Sequence, residues 1–271
     1  MTTRTVSSYL EVSAEGETEI ELQVALARSP GLTIADELTI LHDGREVPFE
    51  AFTAAHDGVQ HLVRLPEGVS TISYTGTATG RAEVPGSTPL DLSLYRRPSR
   101  YATSDTFGGF AASEFGHLDD DALLSTISAW VGTRLQYAPG SSGPTDGASE
   151  TLLTGAGVCR DYAHLVIALL RALCIPARMT AVYAPGCDPM DFHAVVEAYL
   201  PQGGSPGWYA LDATALAPRA ALVRIATGRD ATDTAFMSTV RGNALLMTCE
   251  VTAVADDGLP DDDLYRPVQI R

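Results

Sequence analysis

Three residues of this chain, Cys159, His193 and Asp212, have the types and order that covalent chemistry at a carbonyl needs. Cys159 follows Gly155 and Gly157 and begins a segment with helical apolar spacing, so a helix is expected to open at its sulfur. The unpaired backbone N–H groups and the positive dipole end of a helix start stabilise an anion there. A thiolate is the nucleophilic form of cysteine. His193 opens an expected strand and Asp212 closes a later one, so the three can meet at one rim of a sheet capped by the Cys159 helix. In such a set the thiolate attacks, the imidazole moves the proton, and the carboxylate fixes the imidazole's tautomer and orientation.

Each residue also has a plain packing explanation. Cysteine is among the most buried residue types, a strand histidine is often a satisfied core group, and Asp212 before Ala213 and Thr214 fits an Asx turn. His164 is a rival base, but it lies five residues beyond Cys159, about 140° around a helix that turns about 100° per residue. Cys174, Cys187 and Cys249 lack the G-x-G-x lead-in and the helix start of Cys159, and with no C-x-x-C pair neither a disulfide framework nor a zinc site is expected. There is no G-x-S-x-G elbow for a serine nucleophile. Gly155-x-Gly157 is not a dinucleotide loop, because Arg160 stands where the third glycine belongs. The HDG at 42–44 and the DDGLPDDD tail lack the spacing of a calcium loop, so neither metal nor cofactor is expected.

The elements that must position these residues follow from hydrophobic period. From Arg4 to about Gly80, short apolar alternations such as EIELQVALA and TISYTGTATG are separated by Gly, Pro and Asp turn signals, the pattern of a small antiparallel β-sandwich. Pro85, Pro89 and Pro98 then interrupt regular structure, which sets a domain boundary near residue 97, with domains 1–97 and 98–271. Leu123, Leu124, Ile127, Trp130, Val131 and Leu135 repeat with helical period behind Asp119 to Asp121, so a helix is expected over 118–135. The segment GAGVCRDYAHLVIALLRALCIP gives a second helix, stopped by Pro176. ARMTAVYA, HAVVEAYL and GWYALD follow as a meander of strands, and LLMTCEVTAV is one more strand candidate before an acidic tail expected to be solvated.

Composition narrows the partners. A chain of 271 residues with 45% apolar and 19% charged side chains folds into one large or two ordinary domains. Its formal net charge of −16 repels the phosphates of nucleic acid and the anionic face of a membrane, so neither is an expected partner. All 18 basic residues are arginine. The absence of lysine removes Schiff-base, phosphate-loop and Ser-Lys chemistry, and it leaves the chain unable to act as its own side-chain amine donor. MTTRTVSSYLEV holds no apolar run of signal-peptide length, and no segment approaches the roughly 18 apolar residues of a membrane span, so a cytoplasmic location is expected.

The runs TGAGVCRDYAHLVIALLRALCIPAR, FHAVVEAYL and GWYALDAT together resemble the transglutaminase-like superfamily, over about residues 100 to 215. The β region before them and the tail RIATGRDATDTAFMSTVRGNALLMTCEV resemble those of bacterial members. The resemblance implies an α+β protein: an N-terminal antiparallel β-sandwich, then a papain-like core whose nucleophile sits at a helix N-terminus packed on an antiparallel sheet. It makes Cys159 the nucleophile, His193 the general base and acid, and Asp212 the orienting carboxylate. It also implies an oxyanion site built from the nucleophile's own N–H and one upstream side chain, for which Trp130, Gln136 and Tyr137 are all open. The chain departs from the family pattern in having Val195 where Trp is common after His-Ala, Ala213 where Pro is common, and Cys174 where Gly is common. The implied activity is cysteine-dependent cleavage or transfer at amide bonds of a peptide or protein substrate through a thioester, with hydrolysis favoured. A protein-glutamine transamidase and a catalytically silent peptide-binding module are the alternatives, and oligomeric state is left open. The acidic surface weakly favours basic or neutral peptides.

Overall fold

The computed structural model describes residues 2–200 and 206–271, with residues 120 and 121 described through their backbone alone. Most of the PQGGSP separator, residues 201–205, lies outside the described residues. Alternation builds the first strands. In β1 (Thr3–Ala14) Val6, Leu10, Val12 and Ala14 are buried, while the intervening residues are more open. β2 (Thr18–Leu22), β3 (Leu32–His42), β4 (Arg45–Glu46), β5 (Phe49–Thr53), β6 (Val59–Leu65) and β7 (Gly68–Gly80) follow. β1 and β7 pair antiparallel without a break from Thr3↔Thr79 to Ala14↔Gly68.

The helical region begins with α1 (Pro89–Leu94), α2 (Gly108–Phe115) and α3 (Asp120–Arg134). Then come β8 (Gln136–Tyr137), α4 (Ala148–Thr154), β9 (Ala156–Gly157) and α5 (Cys159–Ala172). The strands β10 (Ala177–Tyr183), β11 (His193–Leu200), β12 (Gly207–Leu211) and β13 (Val223–Gly228) form an antiparallel sheet in the order β12-β11-β10-β13. α6 (Ala231–Thr234), β14 (Met237–Arg241) and β15 (Ala244–Ala255) complete the described elements.

The C-terminal strands return to the N-terminal region. β15 pairs with β1 from Arg4↔Ala255 to Ala14↔Ala244, and β14 pairs with β2, giving the sheets β15-β1-β7-β3-β4 and β14-β2-β6-β5. Val6, Leu10, Ile72 and Tyr74 of one sheet share an apolar cluster with Ile20, Leu22, Val63 and Leu65 of the other. Tyr183, Val223 and Ile225 of the third sheet join the same cluster, so the halves of the chain meet through a common core.

α5 is buried along almost its whole length, against α3, α4, β10 and β11. Its buried Arg171 is held by fixed acceptors, as burial requires, donating to the Ala177, Arg97 and Arg229 carbonyls. The helix ends at Ala172 with Leu173 as its cap, and Cys174 follows with φ 65°, in the left-handed region that glycine adopts most easily. That is the physical reason for glycine at this place in the family pattern; here a cysteine takes the strain.

Two charged clusters lie beneath the surface. Glu197 on β11, fully buried, receives both Arg178 and Arg224, with Arg178 Nη2 at 2.8 Å, and also accepts from Thr180 Oγ1 at 3.0 Å. The Arg178 guanidinium lies 4.1 Å from the centre of the Trp208 ring. At the tail, buried Arg219 holds Asp262 at 2.7 and 2.9 Å, while Arg224 and Arg4 donate to the carbonyls of Ile270 and Arg271. The acidic stretch is therefore solvated only in part: Asp262 is an anchor that straps the terminal segment over the third sheet.

Candidate active site

The turn before Cys159 is shaped by its glycines. Gly155 closes α4 with φ 70°, and a Cβ on Gly157 would stand 2.6 Å from the Asp161 Cβ. Asp161 is fully buried and accepts from the Val158 N–H at 2.8 Å, which fixes the first turn of α5 with Cys159 as its first residue. Arg160 braces the loop, donating to the Gly143 carbonyl at 2.9 Å and to Ser142 Oγ at 3.0 Å.

His193 is the first residue of β11, and Asp212 follows the last residue of the neighbouring β12 in the register Val196↔Leu211. Both are buried, and His193 Nε2 lies 2.8 Å from Asp212 Oδ2. The other carboxylate oxygen accepts from the Thr214 N–H at 3.0 Å and its hydroxyl at 2.6 Å. The Asx turn and the contact with histidine thus coexist on one side chain. Burial disfavours the imidazolium, but the Asp212 carboxylate, with a further contribution from Cys159, outweighs it and raises the His193 pKa well above the usual histidine value. Burial likewise works against the Asp212 charge, and His193 and Thr214 overcome it to hold that carboxyl below its ordinary range.

Cys159 and His193 line one cavity of about 650 Å³, together with Asp191, Phe192, Ile225 and residues 235–239. The Cys159 thiol is half-buried and 4.0 Å from the Phe192 carbonyl oxygen, at the outer limit for a sulfur donor. With His193 Nε2 engaged by Asp212, Nδ1 is the ring nitrogen left for the sulfur. His164 stands apart from this group. It is fully buried under Tyr101, its Nε2 accepts from the Ala231 N–H at 3.2 Å, and burial lowers its pKa to about 4.

The upstream candidates separate clearly. Trp130 is wedged edge-on against Phe110 and Phe115, its indole N–H buried without a partner. Gln136 is exposed. Tyr137 lies opposite Gly157 in the parallel β8–β9 bridge, which carries its hydroxyl within reach of the Cys159 backbone N–H. Burial and the nearby Cys159 sulfur push the Tyr137 phenol upward, so it keeps its proton. The bridge pairs residues twenty positions apart, Gln136 with Ala156 and Tyr137 with Gly157, and its two-residue strands are too short for any periodic signal.

Residues 111–213 match the transglutaminase-like superfamily. The whole chain is similar to a protein from Cytophaga hutchinsonii described as a candidate cysteine protease, at 30% identity and a TM-score of 0.85, covering 100% of this chain and 94% of that one. This chain belongs to the transglutaminase-like superfamily. It is also 30% identical over 185 residues to an uncharacterised protein of Mycobacterium tuberculosis, covering 62% of this chain and 57% of that protein. A match to an uncharacterised protein of Mycobacterium leprae, 30% identical over 115 residues, covers 39% of each. The chain thus spans little more than half of the first mycobacterial relative's length. Among the described residues no helix is long and apolar enough to cross a membrane.

Proposed function

We propose that this protein is a thiol hydrolase of amide bonds in peptides, with Cys159 as nucleophile, His193 as proton shuttle and Asp212 as orienting carboxylate. The observation that carries the reading is the buried 2.8 Å contact of His193 with Asp212 at the rim of the cavity into which Cys159 opens a helix. The N-terminal sheets are read as a sandwich appended to this papain-like core.

In the proposed reaction the Cys159 thiolate adds to the substrate carbonyl carbon, and the oxygen takes the negative charge. The Cys159 N–H and the Tyr137 hydroxyl converge on that oxygen. The His193 imidazolium gives its proton to the amide nitrogen, the C–N bond breaks, and the amine leaves a thioester on Cys159. Water then adds to the thioester while His193 takes its proton. The C–S bond breaks, releasing a carboxylic acid and restoring the thiolate and imidazolium. Asp212 remains ionised throughout and stabilises the charged ring.

The test uses a pool of blocked octapeptides randomised at every position, with new termini read by mass spectrometry. Wild-type protein should cleave members of the pool and Cys159→Ala should cleave none. Tyr137→Phe should lower kcat by about 10²- to 10³-fold with little change in KM, as loss of one oxyanion donor does. Equal cleavage by wild type and Cys159→Ala would remove the proposal, and an unchanged kcat in Tyr137→Phe would remove the hydroxyl from the oxyanion site.

A further inference from the structure

The cavity that holds Cys159 and His193 has a wall made from a different sheet. Residues 235–239, which run into β14, line it. β14 stands at the edge of the order β14-β2-β6-β5, bonded to β2 on one side and to no strand on the other among the described residues. The Phe236 carbonyl accepts from the Gln23 N–H at 2.9 Å, and Ser238 lies opposite Glu21. Backbone direction alternates along an antiparallel strand. Phe236 and Ser238 therefore spend their peptide groups on β2, and Met237 and Thr239 present theirs on the open edge. A break in register after Thr239 ends the regular pairing there.

Open edges of this kind attract a further strand. Here the edge faces a reactive cavity, and beside it the floor is apolar. Phe192 stacks on Phe236 with ring centres 4.7 Å apart, and Met179, Ala181 and Ile225 line the same space. Side chains of an added strand alternate between its faces, so one of every two would fall toward this floor.

We propose that the substrate is an extended polypeptide segment that adds to β14 as a strand, bonding the peptide groups of Met237 and Thr239 and seating an apolar side chain against Phe192 and Phe236. This rests on the reading of the cavity as an active site and deepens it. The segment must be unfolded locally, because a helix has no free row of N–H and C=O groups to offer. Free amino-acid amides lack the second peptide group that the edge would hold, so they are poor substrates on this account.

The test is made on Cys159→Ala protein, which binds without reacting, using amide hydrogen exchange by NMR and the same octapeptide pool. The Met237 and Thr239 amides should slow by at least about fivefold on adding the pool, since exchange reports bonding of single amides. A pool N-methylated along its backbone should give no slowing. In Thr239→Pro the lost N–H points off the sheet and is not needed by β2, so the variant should keep the melting temperature of its parent. It should also lose most of the slowing at Met237. No slowing at β14, slowing confined to other elements, or equal effects from the N-methylated pool would overturn the proposal. Binding does not depend on catalysis, so the two readings fail separately. Slowing at β14 with no cleavage by wild type leaves a peptide-binding module, whereas cleavage without slowing at β14 removes the docking and keeps the hydrolase.

Discussion

Asp212→Asn should lower turnover of the octapeptide pool by about 10⁴-fold while leaving the fold in place, because the change acts on a tautomer and not on packing. Thr214 directs two donors at one oxygen of the Asp212 side chain, its N–H at 3.0 Å and its hydroxyl at 2.6 Å. An amide oxygen would take that place, which turns the asparagine NH2 toward His193 Nε2. That nitrogen must then accept, so the ring proton moves to Nδ1, the nitrogen on the Cys159 side. The imidazole can no longer take a proton from the thiol, and the carboxylate that raised its pKa is gone. Thermal melts should overlay within a few degrees, and kcat should carry nearly all of the loss. A variant with full turnover would show that His193 does not act through Asp212.

Glu197→Gln has the largest effect expected on stability, about 3–5 kcal/mol at neutral pH, the range seen when one partner of a buried ion pair is removed. Glu197 and Arg178 are fully buried, and Arg224 nearly so, so the variant would leave two guanidinium groups out of water with no counter-charge. The effect is pH-dependent with a definite sign. Burial opposes the Glu197 charge, but Arg178 and Arg224 overcome it and hold the carboxyl at about 2, against 4.5 for a free one. A depressed carboxyl stabilises fully above its unfolded pKa, and the contribution drains as pH falls from about 4.5 toward about 2. Denaturant titrations of wild type and variant should therefore differ most above pH 4.5 and converge toward pH 2. A constant gap across that range would place the stability elsewhere.

How far the sequence speaks depends on the range of the interactions. Turn chemistry and apolar period are local, and they place a helix opening at Cys159 and a strand beginning at His193; they put the helix stop at Pro176 and the strand end at Asp212, and the structure ends these elements a little earlier, at Ala172 and Leu211. The return of residues 237–255 to the N-terminal sheets is non-local: LLMTCEVTAV reads as a strand, but nothing in its period says that it pairs with β1. Tyr137 reaches the Cys159 backbone through a two-residue bridge that no pattern announces. The Glu197 cluster was hidden for a related reason. β10 is buried at every position and β11 at most of them, so their strands lack the alternation that would mark Arg178 and Glu197 as inward charges. Gly155 and Gly157, by contrast, were legible because backbone conformation and close approach are properties of single residues.

The central claim is that Cys159 is an activated nucleophile, and the most direct measurement is the alkylation rate of each of the four cysteines in folded protein between about pH 5 and 9, read by peptide mass spectrometry. Burial raises the Cys187 thiol. Desolvation at its sulfur, together with Asp191 3.9 Å away, pushes Cys249 up to about 12 although that residue lies at the surface. Cys174 is an exposed thiol. Cys159 should react faster than the other three cysteines, the exposed Cys174 included, and lose that advantage in His193→Gln. If Cys159 instead reacts no faster than Cys174 or Cys187, the thiolate is not formed and the account of this site is wrong.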